Sequence, residues 1–162
     1  MGQATGDGRT RIEQPSEREV VVTRTFDAPV RLVFDAWTKA ELFRLWWAPK
    51  SLGMPLVACE MDVRTGGGYR LEFRVDADKT IAFFGKYLEV VALSRIVWTN
   101  DESEAGSVTT VTFEDQGGRT RLVMHELYAS KEAYDEAGGA ADGTPEQFAQ
   151  LDELLATLGA KV

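Results

Sequence analysis

Two residue types that build metal and redox centres are nearly missing from this chain of 162 residues, which holds one cysteine and one histidine. Cys59 alone excludes an internal disulfide. Cys59 and His125 together fall short of a protein zinc site, so no metal centre and no cofactor are expected. Positive charge is also scarce: 18 Lys and Arg stand against 26 Asp and Glu, a net charge of -8. That balance argues against a nucleic-acid backbone or an anionic membrane surface as partner. No apolar run approaches the roughly 20 residues that cross a bilayer. The first 19 residues carry no apolar signal-peptide core, which makes a cytoplasmic location the expectation. Gly2 suits myristoylation, but Gly6 stands where that signal needs Ser or Thr. No internal repeat is visible, and the length suits one domain.

What is present is a patterned order of elements. Residues 1–18 are polar and Gly-rich and read as a disordered tail, leaving 19–162 as a single domain. Residues 19–26 alternate as a strand, apolar at Val20, Val22 and Phe26. Asp27-Ala28-Pro29 opens a helix, with Pro29 in its first turn and Val30, Val33, Phe34 and Trp37 on one face. Thr38-Lys39-Ala40-Glu41 has the form of a capping box for a second short helix. That helix places Leu42, Leu45 and Trp46 on one side and ends at Pro49. Strands follow over 56–62, 69–74, 80–91, 95–100, 108–114 and 119–126. Turns at 65–68, 76–79 and 115–118 and an acidic loop at 101–106 separate them. The alternation in 80–91 breaks near Gly85, where a bulge or kink is expected. A short helix capped by Ser130, a connector over 138–143 and a last helix complete the chain. Thr144, Pro145 and Gln147 mark the start of that last helix, and Phe148, Leu151, Leu154, Leu155 and Leu158 form its apolar face.

The pattern predicts an α+β fold: a curved antiparallel sheet of about seven strands wrapped around the long C-terminal helix, with two short helices after the first strand. One apolar sheet face needs one cover, and a tapered space is left between them. Alternation assigns Tyr69, Leu71 and Phe73, then Trp98, Phe113 and Met124 to the inner face, and in 80–91 it offers Phe83 or Phe84, with Phe84 as the site residue, and Tyr87. Trp37, Trp46, Phe148 and Leu151 come from the helices opposite. An aromatic interior of this kind suits a small apolar or aromatic ligand in a pocket of roughly 300 Å³ or more.

Several stretches together resemble a known family. They are Thr25-Phe26-Asp27-Ala28-Pro29, Ala36-Trp37-Thr38, Leu45-Trp46-Trp47-Ala48-Pro49, Asp62-Val63-Arg64-Thr65-Gly66-Gly67, Phe84-Gly85-Lys86-Tyr87, Arg95-Ile96-Val97-Trp98-Thr99, Val111-Thr112-Phe113 and Thr120-Arg121-Leu122. In this order, over about 19–158, they resemble the START-like helix-grip superfamily. Within it they are similar to the homologues of the activator of heat-shock-protein-90 ATPase. The resemblance implies a helix-grip fold, binding of varied apolar ligands and a chaperone as a further partner. The family commonly places a tryptophan where Phe148 stands, which implies a wider space at that point.

Single residues support bland readings beside the functional ones. Trp46 and Trp47 either stack on a ligand or seal the corner between helix and sheet. Asp62 and Arg64 form a local ion pair beside a glycine turn, not a phosphate loop, because a strand rather than a helix follows. His125 alternates to the outer face, and Cys59 reads as a small buried hydrophobe. Glu60 and Glu126 are the strand carboxylates best placed to face the interior. The connector 138–143 is either a hinge or a surface loop. Three functions remain open: an apolar-ligand binder, a chaperone-interacting module exposing Phe43 and Trp47, and a cyclase-like enzyme using an interior carboxylate. A monomer or homodimer is expected.

Overall fold

The computed structural model describes residues 10–101, 106–136 and 144–160. Its eight strands are β1 (Arg11–Ser16), β2 (Glu19–Phe26), β3 (Leu56–Met61), β4 (Gly68–Asp76), β5 (Lys79–Val91), β6 (Arg95–Asn100), β7 (Ser107–Asp115) and β8 (Thr120–Tyr128). They form one antiparallel sheet in the order β1-β2-β8-β7-β6-β5-β4-β3. Successive strands from β3 to β8 are neighbours, and β2 joins β8. Between β2 and β3 run α1 (Val30–Thr38), α2 (Ala40–Phe43) and a single 3-10 turn (Lys50–Leu52). After the sheet come α3 (Lys131–Glu136) and α4 (Thr144–Ala160). The α+β helix-grip architecture is as expected, with eight strands where about seven were anticipated.

The extra strand corrects the reading of the first 18 residues. Arg11–Ser16 pairs antiparallel with β2, Ile12 lying opposite Val22. Its polar composition hid it, because an edge strand with one dry neighbour needs little apolar character of its own. Thr10 is buried and accepts a 2.7 Å hydrogen bond from Arg24.

Local starts and stops differ from expectation where side chains found tertiary partners. Pro29 is the N-cap of α1, not a residue of its first turn. Thr38 does not cap α2; its hydroxyl donates to the Phe34 carbonyl at 2.9 Å, and Lys39 occupies the N-cap without a side-chain bond. Phe43, not Leu45, joins Trp46 in the core, while Leu45 is exposed. Phe43 is therefore unavailable as an exposed docking residue, and Trp47 is half-buried. Gln147 reaches away from its own helix and donates to the Trp47 carbonyl. Gln150 donates to the carbonyls of Trp46 (2.9 Å) and Ala48 (3.0 Å) and accepts from Lys50 N–H. Glu146 accepts from Ser51 N–H at 2.9 Å and from the Ser51 hydroxyl. The first turns of α4 thus satisfy the backbone of the tryptophan corner. Ser130 caps α3 as expected, accepting from Ala133 N–H at 3.1 Å.

The irregularity in β5 falls between Tyr87 and Glu89, two residues beyond the expected position. Gly85 has a different role. A Cβ there would lie 1.8 Å from the Thr99 carbonyl oxygen, so two backbones touch where any side chain would separate them.

Candidate functional site

Register decides which side chains meet inside the sheet. Tyr69 lies opposite Gly85, Leu71 opposite Phe83 and Phe73 opposite Ile81, so this row faces inward. Phe84 lies opposite Arg70 and points outward, which corrects its assignment to the interior. Phe83 takes its place, edge-on to Phe73 with ring centroids 5.5 Å apart. Tyr87 and Trp98 are opposite each other and both buried. Phe113, Leu122 and Met124 are buried on the same face.

The helix side of the interior is filled by rings. Trp46 and Phe148 have 0% of their surface accessible, and so has Leu151. Trp37, at 2%, meets Trp46, Trp47, Trp98, Phe113 and Phe148 with centroids 4.8 to 6.3 Å apart. Phe26 and Phe148 pack edge to face at 5.4 Å. Trp37, Trp46, Phe148 and Leu151 are thus core residues in this structure, and Phe148 packs against Phe26, Trp37 and Trp46. Trp46 donates its indole N–H to the Ala36 carbonyl at 3.0 Å. The buried indole nitrogen of Trp37 meets no acceptor among the described residues.

Toward the other end of β6, β7 and β8 the inner face turns polar. Trp98 lies opposite Thr109, Thr109 opposite Glu126 and Glu126 opposite Val20, one row running straight across the sheet. In the next row Asn100 lies opposite Ser107, and Ser107 opposite Tyr128. These side chains form a continuous chain of hydrogen bonds. The Tyr69 hydroxyl donates to the Thr99 carbonyl at 2.8 Å and lies 3.1 Å from Asn100 Oδ1, which also accepts from the Trp98 indole N–H (3.3 Å). Asn100 Nδ2 donates to Thr109 Oγ1 at 3.0 Å and Ser107 Oγ at 2.9 Å. Thr109 and Tyr128 then donate their hydroxyls to the two oxygens of Glu126, each at 2.8 Å. Tyr128 packs edge-on against Tyr134 of α3 at 5.3 Å. Burial pushes the Tyr128 phenol far above its ordinary range, and the charge and hydrogen bond of Glu126 add to the shift. Tyr87 is shifted the same way by burial, then by Cys59 and Asp62.

Of the two expected carboxylates, only Glu126 faces inward. Glu60 lies opposite Arg70 on the outer face and is exposed. The row Asn100, Thr109, Tyr128 was not anticipated, although period-two counting from Val111 and Met124 reaches Thr109, Glu126 and Tyr128. Arg24 was missed for the same reason: Val20, Val22, Arg24 and Phe26 share a face. The Arg24 guanidinium is buried there, in an ion pair with Asp152 of α4 and 5.5 Å from the Phe26 ring centroid.

The remaining candidates lie elsewhere. Cys59 is half-buried, its sulfur 3.5 Å from the Met61 sulfur, and burial raises its thiol pKa, the wrong direction for a nucleophile. His125 is on the outer face, opposite Val21 and Thr110, with Nε2 3.5 Å from Glu19. Arg64 Nε sits 3.0 Å from Asp62 in the expected exposed pair. A hollow of about 300 Å³ on the outer face is bordered by Arg95, Thr112, Glu114 and Arg121. The connector 138–143 lies outside the described residues. No group of three or more metal-ligating side chains occurs among the described residues. No helix there is long and apolar enough to cross a membrane.

The sequence profile of the family described as activator of Hsp90 ATPase homolog 1-like protein matches residues 27–156. The chain belongs to that family. No curated protein matches it. Among solved structures, a protein from Rhodobacter sphaeroides superposes with a TM-score of 0.83 at 24% identity, over 92% of this chain and 99% of that one. A Nitrosomonas europaea protein gives 0.80 at 22%, over 91% and 99%. A Staphylococcus epidermidis protein, solved by NMR, gives 0.76 at 26%, over 89% and 93%. The family match runs from just before α1 into α4 and so includes most of the ring-filled core and the polar row.

Proposed function

We propose that this member of the family binds a small apolar or aromatic molecule at the inner face of the sheet, beside Tyr69 and Trp98. The observation that carries this reading is the row Asn100–Thr109–Glu126–Tyr128, set among aromatic rings. An apolar wall with a few fixed polar groups is the composition of small-molecule sites, where the polar groups orient the ligand. Native mass spectrometry of the protein purified from cells, with a Nile red titration, tests it. A co-purified mass or saturable fluorescence that falls in Asn100→Leu is expected. Neither a bound mass nor saturation would overturn the reading.

A second reading, docking to a chaperone, draws on Leu45, Leu52 and Val57, which are 58%, 58% and 46% exposed on three successive segments. The family description, which refers to Hsp90 activation, points the same way. Capture of a purified chaperone that is lost in the double variant Leu45→Asp, Leu52→Asp would support it. Absence of capture at tens of micromolar would remove it.

A further inference from the structure

We infer that the ligand of the inner-face site carries a protonated amine, and that Glu126 is the residue that receives it; this rests on the binding reading above. Glu126 is half-buried and uses both oxygens as acceptors for Thr109 and Tyr128. Two hydroxyl donors are aimed at this one carboxyl group. A carboxylate offers about four acceptor positions, so two stay open for a ligand donor. No Lys, Arg or His lies within ion-pair distance of Glu126 among the described residues. The nearest cation by register is Arg18, and its guanidinium is held by the carbonyls of Tyr128 (3.3 Å) and Ala129 (3.2 Å).

The surrounding sequence supplies no alternative counter-charge. Residues 96–118 contain no Lys or Arg, and neither do residues 132–160. Along the same face Tyr69 and Trp98 pack edge-on with centroids 6.5 Å apart and offer apolar surface to the body of a ligand. An anionic ligand would meet Glu126 and an acidic molecule with net charge -8. The chemical class is therefore an aryl- or alkylamine whose apolar body lies against the rings.

Three probes that share one skeleton test this: phenethylamine, 2-phenylethanol and 3-phenylpropanoate, titrated calorimetrically at neutral pH into wild type and Glu126→Gln. The expected result is phenethylamine binding about tenfold or more tighter than the alcohol, as charge-assisted hydrogen bonds predict, with 3-phenylpropanoate weakest. Glu126→Gln should erase the preference for the amine over the alcohol. Equal affinity for amine and alcohol, or a preference that survives in Glu126→Gln, overturns the inference while the binding reading stands. If no probe binds but Nile red saturates, the inference falls alone; if Nile red also fails, both fall. Should Glu126→Gln not fold, the ranking of the three probes on wild type decides.

Discussion

At the scale of single residues, accessible surface separates core from lining. Phe148 has none, so Phe148→Trp adds volume to a packed interior and should cost about 1–3 kcal/mol, read as a lowered melting temperature. A pocket residue would accept the larger ring with no loss. Gly85→Ala should be at least as damaging, because its methyl group would collide with the Thr99 carbonyl. Glu60→Gln provides the control for the site: its side chain is on the outer face, so both stability and Nile red titration should match wild type. A change in titration would place the ligand on the wrong side of the sheet.

At the scale of elements, α4 is held by polar contacts as much as by its apolar stripe. The Arg24–Asp152 pair ties its middle to β2, and Glu146, Gln147 and Gln150 tie its start to the tryptophan corner. Asp152→Ala removes a carboxylate partner of the buried Arg24 guanidinium and should destabilise by about 3 kcal/mol in chemical denaturation. The Ser51 hydrogen bonds hold the Glu146 carboxyl below its ordinary pKa. A lowered folded-state pKa contributes stability that is present above the unfolded-state value and is lost as pH falls through the folded-state one. The contact between α4 and the 3-10 turn should therefore loosen in acid, seen as a lower amide protection factor at Ser51 in wild type and one already low in Glu146→Gln at neutral pH.

At the scale of the whole molecule, β1 belongs to the sheet, so a chain beginning at Arg18 should melt at a lower temperature than one that retains it. Loss of the edge strand exposes the ladder of β2 and removes the Thr10 contact to Arg24. A disordered tail would be removed without effect. Alkaline stability follows from the two buried phenols. Tyr87 and Tyr128 titrate higher when folded, so their contribution is complete below the ordinary phenol pKa of about 10 and declines as pH rises past it. Tyr128→Phe should flatten that alkaline decline in a denaturation series.

The sequence by itself determined the class of fold, the positions of β2 to β8 and most of the inward faces, because period-two and helical patterns are local and the buried face of each element is apolar. It fixed Tyr69, Leu71, Phe73, Trp98, Phe113 and Met124 correctly as inward. It misled at Phe84 because two adjacent phenylalanines satisfy either parity, and only pairing with Arg70 or Leu71 chooses between them. Tertiary structure alone decided which inward residues are sealed and which remain half-open, since closure depends on rings contributed by α1, α2 and α4 together. It also decided the polar row. Asn100, Thr109, Glu126 and Tyr128 come from three strands, and their hydrogen bonds exist only in one register. Chain position cannot encode that convergence, because alternation places Glu126 inward but says nothing of which side chains on neighbouring strands it will meet.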